Sequence, residues 1–134
     1  MLLFAPSAVG DALDRLTILA IKRARVPAER RANVATELAA LEEAWSAAGL
    51  PAPATVPEYA ELSSVNLALW EVEDRLRASE ARGDFGAAFV ADARSVYRVN
   101  DRRAALKRAI NDRFHSRLRE EKHHPVYDEP PVEP

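Results

Sequence analysis

Glu73, Arg77, Arg103 and Lys107 are the side chains with which this 134-residue chain could do chemistry. When each stretch is wound at about 100° per residue, these groups fall among apolar side chains instead of opposite them. Glu73 lies beside Leu62, with Asn66 and Arg77 close by and Tyr59 and Trp70 on the same flank. Asp92, Asn100, Arg103 and Lys107 share an arc with Phe89, Val96, Ile110 and Phe114. Asp14 falls between Ile18 and Ile21, on the side of Arg25. Buried charge is costly unless it is paired. One expectation is therefore a polar layer that sets helix register or oligomer order, with Asp14 on Arg25, Glu73 on Arg103, and Asp92 on a base from another helix. That layer belongs to a binding or assembly module. The alternative is an enzyme with an interhelical pocket for a small carboxylate or phosphate. There Arg77, Arg103 and Lys107 hold the anion, Glu73 is the catalytic acid or base, Asn66 or Asn100 orients the substrate, and Trp70 flanks it.

Other chemistries find less support. The absence of cysteine excludes disulfides, thiol nucleophiles and thiolate metal sites, and it fits a cytoplasmic protein. The four glycines stand at 10, 49, 83 and 86, too scattered for a phosphate loop. Ser7, Ser46, Ser63 and Ser64 have no histidine at a useful spacing. His123 and His124 sit beside Pro125 in a proline-rich end, and no metal or other cofactor is expected there. Glu58 and Glu61 with Glu71 and Asp74 resemble the acidic motifs of helical nucleotide pyrophosphohydrolases. Both pairs fall on one helix, however, so they form no converging cage. Residues 1–122 carry 19 bases against 18 acids, a net of +1, which argues against nucleic-acid binding. No apolar run of about 18 residues occurs, so no membrane span is expected. The apolar start lacks a basic flank and does not read as a signal peptide.

The elements that position these residues follow from proline. None of the nine prolines falls in 28–50 or 58–124, and helix formers fill both stretches. The spacing predicts four helices: Ser7 to Arg25, Pro27 to Ala48, a third from a Thr55–Glu58 capping box to Arg82, and a long fourth from Phe85 to about Arg119. Asp84 is placed to cap the fourth. Seams at Val34, Leu38, Leu41, Trp45 and Ala48, at Leu62, Val65, Leu69, Val72 and Leu76, and at Phe89, Val96, Val99, Leu106, Ile110 and Phe114 predict an all-α antiparallel bundle. The first helix is apolar over a wider arc, which makes it central or a subunit contact. Residues 1–122 form the domain, and 123–134 form an acidic, proline-rich tail expected to be disordered. The apolar surface of so small a chain suggests a homodimer, through the first helix or the C-terminal half of the fourth.

The segments GDALDRLTILAIKRAR, SVNLALWEVEDRLR and ARSVYRVNDRRAALKRAIN, followed by EEK, resemble a family of short bacterial proteins classed as a domain of unknown function. The matching positions are Gly10, Asp14, Thr17, Lys22, Asn66, Trp70, Glu73, Asp74, Arg94, Tyr97, Asn100 and Asp101. The resemblance implies a stand-alone helical domain and no particular activity. DALDRLTILAIKRAR, a helix that opens on acids and leucines and ends in an Arg-rich turn, also resembles the helical chorismate mutases, without their motif order. That likeness implies how arginines and a lysine could hold a dicarboxylate between helices.

Overall fold

The computed structural model describes residues 1–127. Four helices follow in order: α1 (Val9–Arg25), α2 (Ala28–Ala47), α3 (Tyr59–Arg82) and α4 (Ala87–Arg113). A short 3-10 turn, Pro53–Thr55, precedes α3, and no strand occurs among the described residues. The fold is the expected all-α bundle, with the last helix its longest.

Each boundary has a local cause. α1 stops at Val26, which is extended because Pro27 disfavours helical geometry in the residue before it. α2 runs into Gly49 and α3 into Gly83, both left-handed, and the Asp84 amide then donates back to the Ser79 carbonyl at 2.9 Å. α4 ends six residues earlier than Arg119. Its stop is the same loop without glycine: His115 takes φ 52°, and the Ser116 amide donates to the Asn111 carbonyl at 2.9 Å. The Thr55–Glu58 capping box does not form. The Thr55 hydroxyl donates to the Ala52 carbonyl at 2.6 Å, and the Glu58 carboxylate pairs with Arg113 at 2.7 Å. Asp84 accepts the Gly86 amide at 3.1 Å, in the turn before α4, and so caps no helical amide.

The core centres on α1, which touches α2, α3 and α4. Leu13, Leu16 and Leu19 of α1 meet Val34, Leu38 and Trp45 of α2, Leu62 of α3, and Leu106 and Ile110 of α4. These residues belong to the predicted seams, but Leu76 of α3 and Phe89, Val96 and Val99 of α4 are only partly buried and lie outside this core, and the wide apolar arc of α1 is that of the central helix. Trp45 meets Phe114 edge-on with centroids 6.2 Å apart, while its indole N–H donates to the Pro51 carbonyl at 2.6 Å. The indole thus buries its ring without stranding its donor. Beyond α4 the chain doubles back along that helix. Ser116 lies at the start of α1, and Tyr127 reaches Tyr97 and Asp101 on α4. The remainder of the acidic tail, residues 128–134, lies outside the described residues.

Candidate functional site

Two helical stripes build the polar layer. Gly10, Asp14 and Thr17 follow one face of α1, and Arg103, Lys107 and Asn111 follow one face of α4. At Gly10 the two helices approach too closely for a side chain, since a Cβ there would stand 2.9 Å from Asn111 Oδ1 and nearer still to the Lys107 carbonyl oxygen. The Gly10 amide, free at the helix start, donates to Asn111 Oδ1 at 2.7 Å. The Val9 amide donates to Ser116 Oγ at 3.2 Å. Asn111 of α4 and Ser116 just beyond that helix thus satisfy two amides of α1.

One turn on, Asp14 is buried and both its carboxylate oxygens are engaged. Arg103 donates from Nε to Oδ1 at 2.8 Å and from Nη2 to Oδ2 at 2.6 Å, a bidentate pair. From α3, Asn66 Nδ2 donates to Asp14 Oδ1 at 2.9 Å and to Thr17 Oγ1 at 2.8 Å. Thr17 passes its own proton to the Asp14 carbonyl at 2.7 Å. Burial pushes the Asp14 carboxyl up, but the Arg103 and Asn66 hydrogen bonds outweigh it and hold the group below the ordinary aspartate value. The Asp14 hydrogen bond raises Arg103 in turn, against its own partial burial.

Lys107 lies between two carboxylates, 2.9 Å from Asp11 and 2.8 Å from Glu120 on the returning segment. Burial alone would lower its pKa; Glu120 and Asp11 more than reverse that. Three helices and the C-terminal segment are therefore cross-braced by groups that answer one another's charge.

Several expectations need correction. Arg25 does not reach Asp14; it pairs with Glu71 at 3.3 Å. Glu73 does not pair with Arg103. Glu73 and Arg77 are exposed on α3 and make no ion pair or hydrogen bond among the described residues. Wheel position misled here because α3 is a long helix with three neighbours of unequal reach, so the covered arc changes along its length. Trp70 is half-buried on α3, and Asn100 is half-buried on α4, where it lines a separate open groove. Of the expected site residues, the structure brings together Asn66, Arg103 and Lys107, with Asp14 as their hub. Asp92 does find a base from another helix, Arg75 at 3.1 Å. Asp11, Asn111, Ser116 and Glu120 were missed as members of the layer. For Asn111 the signal was present in its spacing of four from Lys107 and eight from Arg103.

No group of three or more histidine, aspartate and glutamate side chains among the described residues is arranged to hold a metal ion. No described helix is long and apolar enough to cross a membrane.

Fold and site together define a small helical bundle braced by a polar layer centred on Asp14. The chain belongs to a family described as "Family of unknown function (DUF6165)", whose pattern matches residues 6–132. No curated protein and no solved structure matches it.

Proposed function

We propose that this chain is a non-catalytic helical binding and assembly module, working in the bacterial cytoplasm as a homodimer. The observation that carries the non-catalytic half is the closure of the polar layer around Asp14. A general acid or base needs a proton or lone pair free to meet substrate. Asp14 has both oxygens occupied by Arg103 and Asn66, and Lys107 is held by two acids. Glu73 and Arg77, the acid–base and anion-holding candidates of the enzyme alternative, stand on an exposed face and share no site with Arg103.

Exposed apolar side chains support the assembly half. Leu2, Leu3 and Phe4 form an uncovered run before α1, and Phe85 and Val90 are about half exposed at the corner between α3 and α4. With α1 enclosed by its neighbours, these groups are better placed than α1 to meet a second copy. Sedimentation velocity at about 50 µM tests this, a concentration that fills a dimer of micromolar affinity. The expected species has twice the 14.8 kDa chain mass and shifts toward monomer when residues 1–4 are removed. A single monomeric species at that concentration overturns the assembly half.

A further inference from the structure

Between α4 and the returning C-terminal segment runs an open groove of about 510 Å³. Val96 and Ala104 supply its apolar wall. Tyr97 and Tyr127 border it, their rings edge to face with centroids 4.9 Å apart. Asn100, Lys122 and His124 supply its polar atoms.

These polar atoms differ from those of the layer in making no hydrogen bond of ordinary length among the described residues. The Asn100 amide makes no side-chain hydrogen bond among the described residues, although the residue is half-buried. Lys122 has only a loose partner, Glu120 at 3.6 Å, which is beyond hydrogen-bond length. His124 has no partner among the described residues. The acid at the groove, Asp101, accepts the Tyr127 hydroxyl proton, which ties its charge to the groove wall. Two donors with no acceptor at bonding distance among the described residues, the Lys122 ammonium and the Asn100 amide, thus line a recess whose remaining surface is aromatic and aliphatic, with the single carboxylate, Asp101, turned to the Tyr127 hydroxyl. That combination suits an oxyanion attached to a flat apolar body.

We infer that this groove binds a small aromatic oxyanion, its carboxylate or phosphate held by Lys122 and the Asn100 amide and its ring set against Tyr97, Val96 and Ala104. The inference deepens the binding-module proposal by naming a ligand class, and it asks no chemistry of the ligand. It does not depend on self-association.

Amide and side-chain NMR shifts of the full chain test it, with benzoate and phenyl phosphate as probes and inorganic phosphate and benzyl alcohol as the separated halves. At least one aromatic anion should saturate by about 10 mM, moving Tyr97, Ala104 and the Asn100 side-chain amide. The tighter of the two probes identifies the oxyanion. Lys122→Ala, at an exposed position, should weaken that probe at least about tenfold, while Arg75→Ala on α3 should leave it unchanged. The inference is overturned by any of three results: no saturable shift with either aromatic anion, inorganic phosphate or benzyl alcohol binding as tightly as the aromatic anions, or binding indifferent to both Lys122→Ala and Asn100→Ala. Sedimentation is read separately, so a failed titration leaves the assembly proposal standing.

Discussion

Replacing Gly10 by alanine should destabilise the protein even though alanine is the better helix former. A methyl group at this position would stand 2.9 Å from Asn111 Oδ1 and closer still to the Lys107 carbonyl oxygen. The second obstacle is backbone inside α4, so it cannot swing aside as a flexible side chain would. α1 must draw back from α4, lengthening the 2.7 Å bond from the Gly10 amide to Asn111. Overpacking of this kind costs ~1–3 kcal/mol. The weakened hydrogen bond adds ~0.5–1.5 kcal/mol. Helix propensity returns at most ~1 kcal/mol. The net is a loss of about 2 kcal/mol, or roughly 6–12 °C in melting temperature for a chain of this size. Circular dichroism at 222 nm during a thermal ramp measures it. Propensity acting alone would raise the melting temperature instead, so an unchanged or higher value for Gly10→Ala would refute the close seating of α1 on α4.

Acidification should weaken the fold through Asp14, Glu58 and Glu120, all held below their ordinary values. Carboxyls with depressed folded pKa values stabilise at every pH above their unfolded values, and that share is lost as pH falls through the folded ones. Urea titrations from pH 7 to pH 2 should therefore show stability dropping from about pH 4.5 downward, with the gap between wild type and Asp14→Asn narrowing over the same range. Glu73→Gln should change stability by less than ~0.5 kcal/mol, because Glu73 is exposed and unpaired among the described residues. A larger loss in a urea melt would mean that Glu73 has a structural partner. Truncation after Lys122 removes Tyr127 from Tyr97, Asp101 and the Arg98 guanidinium and should cost about 1–3 kcal/mol, while aromatic-anion binding to the α4 groove falls sharply. Retained binding in the shortened chain would show that Tyr127 is not part of that wall.

The bundle was legible because its signals are local. Proline at 27 and at 51–57, glycine at 49 and 83, and the seams through Leu38, Leu62 and Ile110 each declare themselves within a few residues. The early end of α4 carried no such sign, because His115 takes the left-handed position that glycine usually fills. The polar layer was half legible. Asp14, Asn66, Arg103 and Lys107 stood out as charges and amides on apolar faces, but choosing their partners required knowing which helices touch. Arg25 shares the side of Asp14 on a wheel, yet α3 offers it Glu71 while α4 brings Arg103 to Asp14. Glu73 failed for the complementary reason, since an apolar neighbour on the wheel does not guarantee a covering helix. Glu120 and Tyr127 could not be placed, because the return of the chain along α4 follows from no periodicity.

A double-mutant cycle on Asp14 and Arg103 tests the closed layer most directly. Asp14→Asn leaves Arg103 uncompensated, but the Arg103 side chain is 29% exposed and water screens part of the loss. Arg103→Met strands a carboxylate whose side chain is only 7% exposed, so it should cost more, approaching the ~3–5 kcal/mol of a broken buried pair. With both changes made, neither charge is left unpaired. A closed layer predicts that the double variant is more stable than the summed losses by at least ~1.5 kcal/mol in urea melts at pH 7. Losses that add within ~0.5 kcal/mol would show two independent groups, as in an open site, and would contradict the account.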